Sequence, residues 1–373
     1  MIRYLIDGRA LQDRSSVRGI GTYVRGLLAG FAELGVISDV GLLTAGGLPI
    51  PAEARRLGCA IAPATVPVVL RRLQPLLDPW LVGVAVRRVR PQLHHAVEYA
   101  QPLRSPVPVV VTVHDLIPFV MPSDYPWMRR ERLLALRQLR HADAVIADSR
   151  STAHDLERLA GVDPARITVV HLAVSDRPPI DAGRLEEVRH RLHLPERFVL
   201  AVGTFDPRKR LDALVAVVAE VRRHHDVGLV IAGAQGAYGP AVSAAVAAAG
   251  IGGATRITGF VDPSDLAALY RMASCLVYTS AYEGFGLPPL EAMASGTPVA
   301  LFHNSSLPEV VGDAALLVPD GDVPAMVAAI TALLGDPAQG ADLARAGSER
   351  AARFTWRRTA EETLAVYEFL LAR

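Results

Sequence analysis

The chain has 373 residues, which is enough for two or three domains that each bury a core of their own. Apolar residues make up 51%, charged residues 21%, and the formal net charge is +1, which is typical of a soluble globular enzyme and excludes broad nucleic-acid binding. Two cysteines, Cys59 and Cys275, exclude a disulfide framework and favour a reducing compartment, and the first ten residues lack the apolar run of a secretory signal. We therefore expect a cytoplasmic protein.

The first half of the chain alternates short apolar runs with helical patterns. The predicted strands are Ile2–Asp7, Val107–Val113 and Ala144–Ala147, and the predicted helices are Gly19–Gly35 and a segment near Thr152–Leu159. This alternation is typical of βαβ units with a parallel sheet. Polar pairs follow two of the strands, His114-Asp115 and Asp148-Ser149, at the position where doubly wound sheets bind ligands.

A second alternation follows the proline-bearing segment Ser175–Ile180, which we interpret as an interdomain linker. The predicted strands are Phe198–Val202, Val227–Ala232, Arg256–Gly259, Cys275–Thr279 and Pro298–Phe302, and the predicted helices are Leu211–Arg223, Leu266–Ala273, Leu287–Ala294, Pro324–Leu334 and Thr355–Leu371. The sequence thus predicts two α/β domains with doubly wound parallel sheets, residues 1–177 and 178–354.

Lysine and asparagine are almost absent. Lysine occurs once, at Lys209, and asparagine once, at Asn304, while every other residue among the 39 lysines and arginines is arginine. A GC-rich coding bias accounts for the depletion. A lysine that survives it is a candidate for a site where a compact charge on a thin stem must reach one phosphate oxygen. Chance survival is the alternative.

The segment Tyr282–Val299, YEGFGLPPLEAMASGTPV, is the most informative motif. A predicted strand ends in a loop with two glycines, and a helix begins near Leu287, so backbone N–H groups and the helix dipole offer a diphosphate site. Glu283 before this site and Glu291 within the helix supply carboxylates for vicinal sugar hydroxyls. The alternative is an ordinary strand–turn–helix with two solvated glutamates.

The segment Ala201–Leu211, AVGTFDPRKRL, places Arg208, Lys209 and Arg210 at the start of a predicted helix. Three cations at a helix N-terminus oppose the dipole, and a bound phosphate would offset the conflict. The alternative is a solvated basic turn, which is the favoured interpretation for Arg210.

Three weaker patterns accompany these motifs. Gly19–Gly21 forms a glycine turn that enters a helix, and His114 ends an apolar strand, where a satisfied structural histidine is the more common case. The triplet Asp320-Gly321-Asp322 imitates a metal-binding DxD, but it precedes a predicted helix, so an N-cap role is favoured and we expect no metal site.

Together these segments resemble the retaining glycosyltransferases with the GT-B fold, in the GT4-like family that includes many bacterial mannosyl- and rhamnosyltransferases. The pieces that match are the Gly19–Gly21 turn, HDLIP at His114, SRSTAHDL after Ala147, VGTFDPRK, TGFV at Thr258–Val261, and EGFGLPPLEAMASGTPV with its two glutamates eight positions apart. They cover nearly the whole chain in the expected order. The resemblance implies two Rossmann-like domains facing a central cleft, with the C-terminal helix, residues 355–373, packing back on the first domain.

The resemblance also implies roles for individual residues. In the catalytic set, Glu283 would hold the transferring sugar, His114 would bond that sugar, and Arg208 and Lys209 would neutralise the leaving diphosphate. The residues implied in donor binding are Gly21, Gly203, Phe260, Val261, Phe285, Gly286, Leu287, Pro288 and Glu291. Of these, Glu291 would grip the ribose, and Phe260 and Val261 would contact the base. Many relatives have arginine where this chain has Thr204, and Arg208 is our expected replacement.

The activity implied is metal-independent hexosyl transfer with retention, from a nucleoside-diphosphate sugar to a glycan or lipid-linked acceptor in polysaccharide or glycoconjugate synthesis. No cofactor is expected, and GDP-mannose is the first guess for the donor. The attacking hydroxyl would approach the face that the diphosphate leaves, so no carboxylate nucleophile is needed, unlike in glycoside hydrolases. Two alternatives remain open: a nucleotide-sugar epimerase or hydrolase with the same fold, and a non-catalytic nucleotide-sugar-binding subunit.

Two segments raise the possibility of peripheral membrane contact at the inner face of the cytoplasmic membrane. Leu70–Arg90 combines apolar residues with flanking arginine pairs, and Trp127–Arg140 has five arginines beside a leucine stripe. Such segments can lie on anionic lipid. A stripe that faces the core, with a solvated basic side, is the alternative and the favoured one.

Overall fold

The computed structural model describes residues 2–17, 19–64, 74–99, 101–102, 104–174 and 180–373. The chain divides into two compact units, one formed by Met1–Ala173 together with Phe354–Arg373 and the other by Val174–Arg353. The division falls four residues before the predicted boundary after residue 177. Residues 175–179, which make up most of the predicted linker, lie outside the described residues, as does Arg18 before the glycine turn.

The strands form two parallel sheets, one in each unit. In chain order they are β1 Tyr4–Asp7, β2 Val40–Ala45, β3 Ala60–Ala64, β4 Leu93–Ala96, β5 Val109–Val113, β6 Ala144–Ala147, β7 Ile167–Val169, β8 Phe198–Val202, β9 Gly228–Ala232, β10 Thr255–Gly259, β11 Cys275–Tyr278, β12 Val299–His303 and β13 Leu316–Pro319.

Helices connect the strands within each unit. In chain order they are α1 Gly19–Glu33, α2 Ala52–Leu57, α3 Gln74–Val89, α4 Ile117–Val120, α5 Pro126–Gln138, α6 Arg150–Asp155, α7 Ala182–Leu192, α8 Leu211–Val221, α9 Gly239–Ala248, α10 Pro263–Met272, α11 Leu287–Ala294, α12 Leu307–Val311, α13 Val323–Gly335, α14 Pro337–Ala351 and α15 Trp356–Leu371. Within the described residues, none has both the length and the apolar character that crossing a membrane requires.

The first unit is a seven-stranded sheet with the strand order β3-β2-β1-β4-β5-β6-β7, and neighbouring strands run parallel. β5 has the sequence VVVTV and is buried along its whole length, as expected for a central parallel strand covered on both faces. The chain returns to this unit through α15, which packs against α1.

Small residues on α1 set the distance to α15. A Cβ added at Gly26 would lie 2.0 Å from the Trp356 ring, and one added at Gly30 would lie 2.3 Å from the Trp356 carbonyl oxygen. Tyr367 of α15 is fully buried, and its hydroxyl lies 2.5 Å from Nδ1 of the buried His95 on β4. Burial lowers the pKa of His95 to about 3, so the imidazole is neutral in this core.

The second unit is a six-stranded parallel sheet with the order β10-β9-β8-β11-β12-β13. The strand order reverses between β8 and β11, because the chain first builds outward from β8 to β10 and then returns to the other side of β8. Ligands of doubly wound sheets bind at the carboxyl ends of the strands beside such a reversal. The segments that follow β8, β11 and β12 therefore meet at one edge.

The elements that were predicted agree with the structure, with differences of a few residues at their ends. Phe198–Val202, Ala144–Ala147 and Leu287–Ala294 match their elements residue for residue. Several elements were not predicted. β4 has the sequence LHHA and is buried along its whole length. Its two histidines interrupt the apolar pattern by which a buried strand is recognised in a sequence. β2, β3, β7 and β13 were also missed, as were several helices, α7 and α14 among them.

Candidate functional site

The turn after β8 is shaped by two glycines. Gly203 has φ +143°, and a Cβ added there would lie 3.2 Å from Cε of Lys209. Gly233, which follows β9, has φ +156°, and its Cβ would lie 1.9 Å from the Gly203 carbonyl oxygen. Only glycine fits this close approach, which lets the Lys209 side chain pass over the end of β8.

The three consecutive cations do not begin a helix together. Pro207–Lys209 forms a single 3-10 turn, capped by Asp206, whose side chain accepts from the Arg208 amide at 3.2 Å. Arg210 then takes a left-handed conformation, φ +47°, before α8. The turn directs Arg208 and Lys209 towards Glu283, while Arg210 pairs with Asp320, Nη1 to Oδ1 2.7 Å. Each of the three cations thus has a protein carboxylate as a partner, although Arg208 and Lys209 share the single negative charge of Glu283.

Glu283 is the centre of this arrangement. It lies in the loop after β11 and is 8% exposed, while Lys209 is 7% exposed. Four side chains donate hydrogen bonds to its Oε1 atom: Arg208 Nη1 at 2.6 Å, Lys209 Nζ at 2.5 Å, Ser280 Oγ at 2.6 Å and the Tyr278 hydroxyl at 2.9 Å. The carboxylate is thus fixed in one orientation by donors from two adjacent strand ends.

The electrostatics of the pair follow from burial and from these contacts. Burial favours the protonated carboxyl, but the charges of Arg208 and Lys209 and the hydrogen bonds to Oε1 outweigh it and lower the pKa of Glu283 to about 2. Burial lowers the pKa of Lys209 to about 8, against the opposing effect of Glu283. At neutral pH the site therefore holds a carboxylate and two cations.

Tyr278 ends β11 beneath this cluster. Its hydroxyl accepts from Lys209 Nζ at 2.5 Å and donates to Glu283, and the ammonium lies 4.6 Å from the centre of its ring. Burial and the nearby Glu283 raise the pKa of Tyr278 well above its usual value, so the hydroxyl keeps its proton. Tyr278 therefore links the only lysine to the carboxylate.

Helix α11 begins directly after the loop that carries Glu283. Gly286 precedes the helix with φ +110°, and a Cβ there would lie 2.9 Å from the Leu307 side chain. Pro288 and Pro289 occupy the first turn and carry no amide hydrogen, so the donors at this end are the amides of Gly286 and Leu287. Pro288, which was predicted in donor binding, cannot donate a backbone hydrogen bond to a diphosphate, because proline has no N–H.

Apart from Gly21, the remaining residues predicted in donor binding lie on the same unit. Glu291 is on α11, and its Oε2 accepts from the Tyr270 hydroxyl at 2.8 Å. Phe260 follows β10 and Gly259, which has φ +73°, and its side chain is 57% exposed. Phe285 is buried in the loop between Glu283 and α11.

A turn after β12 lies against the Glu283 loop. The Glu283 amide donates to Ser305 Oγ at 3.0 Å, and Ser306 Oγ donates to the carbonyls of Glu283 and Phe285 at 3.0 and 2.7 Å. Asn304 donates to the Ser280 carbonyl at 2.9 Å and to Asp320 at 2.7 Å. Asn304, Ser305 and Ser306 were not predicted to belong to the site. The single asparagine was the available signal, since it is depleted as strongly as lysine.

The Asp320-Gly321-Asp322 triplet has two structural roles. Asp322 caps α13, accepting from the Ala325 amide at 2.9 Å, which confirms the predicted N-cap. Asp320 accepts from Arg210 and Asn304. In the part of the chain that the structure describes, no cluster of three or more His, Cys, Asp or Glu residues is placed to hold a metal ion.

Two predicted residues lie on the first unit. His114 follows β5; its Nδ1 lies 2.6 Å from Asp148 Oδ2 and its Nε2 lies 3.1 Å from the Val97 carbonyl oxygen. Burial alone would lower the pKa of His114, but the contact with Asp148 raises it. Gly21 packs against its own chain, since a Cβ there would lie 2.5 Å from the Ser16 carbonyl oxygen. Both ring nitrogens of His114 are thus bonded within the unit.

Comparison with known proteins matches both units to glycosyltransferases. Residues 185–351 match the family model "Glycosyl transferases group 1", and residues 17–177 match "Glycosyltransferase Family 4". The O-antigen chain mannosyltransferase B of Escherichia coli is 31% identical over 272 residues, 70% of each chain. The MMP alpha-(1->4)-mannosyltransferase of Mycolicibacterium hassiacum is 33% identical over 242 residues, 64% of this chain and 56% of that protein.

Among solved structures, sucrose-phosphate synthase from Thermosynechococcus elongatus superimposes with a TM-score of 0.80 over the full length of both chains, at 24% identity. This likeness establishes the fold, which is the GT-B fold with two Rossmann-like domains. The two family models and the sequence relatives identify the activity as glycosyl transfer. The chain belongs to the GT4-like family of GT-B glycosyltransferases.

Proposed function

We propose that this glycosyltransferase moves a hexose, mannose in the first instance, from GDP-mannose to a glycan or lipid-linked acceptor, with retention and without a metal. The observation that carries the proposal is the cluster of Glu283, Lys209 and Arg208 at the strand reversal of the second unit, beside the start of α11. The two relatives named above, both mannosyltransferases, support mannose as the transferred sugar.

The charges of the cluster suit departure of a diphosphate. Arg208 and Lys209 together supply the positive charge that a divalent metal would otherwise supply to a leaving diphosphate. Binding of the diphosphate would be completed by the amides of Gly286 and Leu287 at the N-terminus of α11. Asp320 and Asp322, which imitate a metal-binding pair, are engaged with Arg210, Asn304 and the Ala325 amide.

Glu283 is better suited to accept hydrogen bonds from the sugar than to act as a general base or a nucleophile. Its pKa of about 2 makes it a poor proton acceptor at neutral pH, and Oε1 already accepts from four donors. In the proposed reaction it orients the sugar hydroxyls, and the leaving diphosphate takes the proton of the acceptor hydroxyl. In the same proposal Glu291, which accepts a hydrogen bond from Tyr270, binds the ribose of the donor. Phe260 and Val261 contact the nucleotide base.

The donor is tested by thermal denaturation with a panel of GDP-, UDP- and dTDP-sugars. We expect GDP-mannose alone to raise the melting temperature, and Lys209→Ala to abolish that shift. A response to a UDP-sugar in place of GDP-mannose would refute the assigned donor. Activity after dialysis against EDTA tests the metal: full loss, restored by Mg²⁺ or Mn²⁺, would refute metal independence.

Product analysis separates transfer from the other activities of the fold. With GDP-mannose and a mannose-terminated oligosaccharide, a transferase forms an extended glycan that grows with acceptor concentration. Free mannose released at a rate independent of acceptor would identify a hydrolase, and an epimerised donor would identify an epimerase. A protein that binds the donor and forms no product would be a binding subunit.

We further propose that the first unit contacts anionic lipid on the cytoplasmic side of the membrane. Trp80 and Val84, one turn apart on α3, are 59% and 41% exposed and precede Arg87 and Arg88 on the same helix. On α5, Leu134 is 64% exposed. Such combinations of exposed apolar and cationic side chains bind lipid headgroups.

Part of the predicted stripes faces the core instead. Leu81, Leu136 and Leu139 are buried, and the side chains of Leu76, Leu77 and Trp127 lie outside the described residues. Flotation with phosphatidylglycerol vesicles should carry the wild type and not Trp80→Ala, whereas phosphatidylcholine vesicles should carry neither. Failure of the wild type to float with the anionic vesicles would refute membrane contact.

A further inference from the structure

The turn Asn304–Ser306, between β12 and α12, has an unfavourable local conformation. Ser305 has φ +46°, in the left-handed region that non-glycine residues rarely adopt. Ser306 occupies the N-cap position of α12, where serine usually accepts from an amide of its own helix, yet it makes no such bond. Both features cost stability and persist only where other contacts hold them.

Several of those other contacts go to the Glu283 loop. The hydroxyl of Ser306, which is fully buried, donates to the carbonyls on either side of Gly284, at Glu283 and Phe285. The hydroxyl oxygen of Ser305 accepts the Glu283 amide. The turn therefore bonds both backbone groups of Glu283 while four side chains hold its carboxylate.

Asn304 anchors the turn. Its Oδ1 accepts from the Ser305 hydroxyl at 3.0 Å, so the hydroxyl that receives the Glu283 amide is itself oriented. Its Nδ2 reaches the Ser280 carbonyl on the loop and Asp320, which is also paired with Arg210. One continuous network thus links the basic turn after β8, the Glu283 loop and the segment after β12.

We propose that Asn304, Ser305 and Ser306 are positioning residues of the transfer reaction, which set the place of the Glu283 carboxylate relative to Lys209 and the start of α11. The proposal rests on the proposed function for its kinetic consequence. The physical reason is that Glu283 lies in a loop, and a loop residue fixed only through its side chain can shift with its backbone. A displacement of about 1 Å at a reacting centre can cost on the order of a hundredfold in rate.

The first test does not need a substrate. Hydrogen–deuterium exchange of peptides spanning residues 280–290 should accelerate about tenfold in Ser305→Ala and in Ser306→Ala, the amount expected for loss of one net hydrogen bond. Ser348→Ala is the matched control. The Ser348 hydroxyl likewise donates to two backbone carbonyls, those of Met293 and Ala344, and its loss should leave the 280–290 peptides unchanged.

The second test separates positioning from general stability. With GDP-mannose, or the donor selected by the panel, Ser305→Ala should lower kcat about tenfold or more while the Kd for GDP is kept, because the amide that it releases is that of Glu283 and not those at the start of α11. Ser348→Ala should keep wild-type kcat. Ser305→Gly removes the hydroxyl but relieves the backbone strain, and it should be as slow as Ser305→Ala.

The outcomes are distinct. Unchanged exchange of the loop in both serine variants would overturn the proposal, as would full activity of Ser305→Gly. If Ser306→Ala does not fold, the less buried Ser305 still decides the question. A wild-type protein that turns over no nucleotide sugar refutes the proposed function instead, and the exchange experiment then still decides whether the turn holds the loop.

Discussion

Lys209 is the residue whose charge the site controls most directly. It is buried beside Arg208, and Glu283 is the carboxylate that balances it. Removing one member of a buried charge cluster leaves the others uncompensated, which is the usual cause of a large effect from one substitution. Substitutions that change the charge of Lys209 and its shape separately therefore distinguish the two contributions.

Lys209→Ala should reduce release of nucleoside diphosphate from the donor by about a hundredfold to a thousandfold, the usual effect of removing one group that stabilises developing charge. Lys209→Met, which keeps most of the volume without the charge, should be equally slow. Lys209→Arg should recover only part of the rate, because the lysine side chain runs so close to Gly203 that a Cβ added there would lie 3.2 Å from Cε, and a guanidinium is wider than an ammonium. Melting temperatures provide the control for folding. Near-wild-type turnover by Lys209→Ala would contradict the assigned role.

The pKa of Lys209 also predicts an alkaline limb in the pH profile. Burial lowers this pKa to about 8, so raising the pH through that value removes the ammonium charge. Because the charged form is the one that neutralises a diphosphate, kcat/KM should fall above about pH 8, by tenfold per unit. Lys209→Arg, which stays ionised, should lack the limb although its rate is lower. A wild-type profile that is flat to pH 10 would exclude Lys209 as the titrating group.

At the scale of elements, the packing of α1 on α15 depends on the absence of side chains. Gly26 faces the Trp356 ring, and Gly30 faces the backbone of the same residue. Glycine within a helix is unfavourable by itself, by about 1 kcal/mol relative to alanine. Its presence here is explained by contact, because the helices approach closer than a methyl group allows.

Gly26→Ala should therefore destabilise the protein by about 1–3 kcal/mol, the range for overpacking a filled core. Gly83→Ala on α3 is the matched control: its Cβ would meet its nearest atom at 3.6 Å, an ordinary contact. That variant should be neutral or up to about 1 kcal/mol more stable, as helix propensity predicts. Urea unfolding measures both. Equal stability of the two variants would contradict the packing argument.

At the scale of the whole molecule, the chain leaves the first unit at residue 173 and returns to it at residue 354. The returning helix α15 contributes the buried side chains of Trp356, Val366, Tyr367 and Leu370 to that unit. The core of the first unit is therefore completed by the last residues of the chain, while the second unit is continuous in sequence.

Truncation after Arg353 should accordingly unfold the first unit and leave the second one folded. Limited proteolysis should then cut within residues 1–173 and leave a resistant fragment close to residues 180–353. The control is Arg357→Ala, which removes only an exposed ion pair with Glu361 and should give the wild-type pattern. A truncated protein as resistant as the full chain would show that α15 is dispensable.

The sequence by itself determined the class of fold, the family and the members of the charged cluster. Alternating strand and helix patterns show parallel βαβ units without further information, because side-chain periodicity is a local property. The glycine-rich loop before α11 and the run Arg208–Arg210 indicate a phosphate-binding site through residue type and spacing. Lys209 was conspicuous in composition alone.

Only the tertiary structure decided which residues complete the site. Tyr278, Ser280, Ser305 and Ser306 are common residue types with no distinctive spacing, and they meet Glu283 because β11 lies between β8 and β12 in the sheet. Strand order is set by packing of the whole sheet and leaves no periodic mark on any one segment. For the same reason the sequence could not show that Arg208 and Lys209, more than 70 residues from Glu283, bind the same carboxylate oxygen.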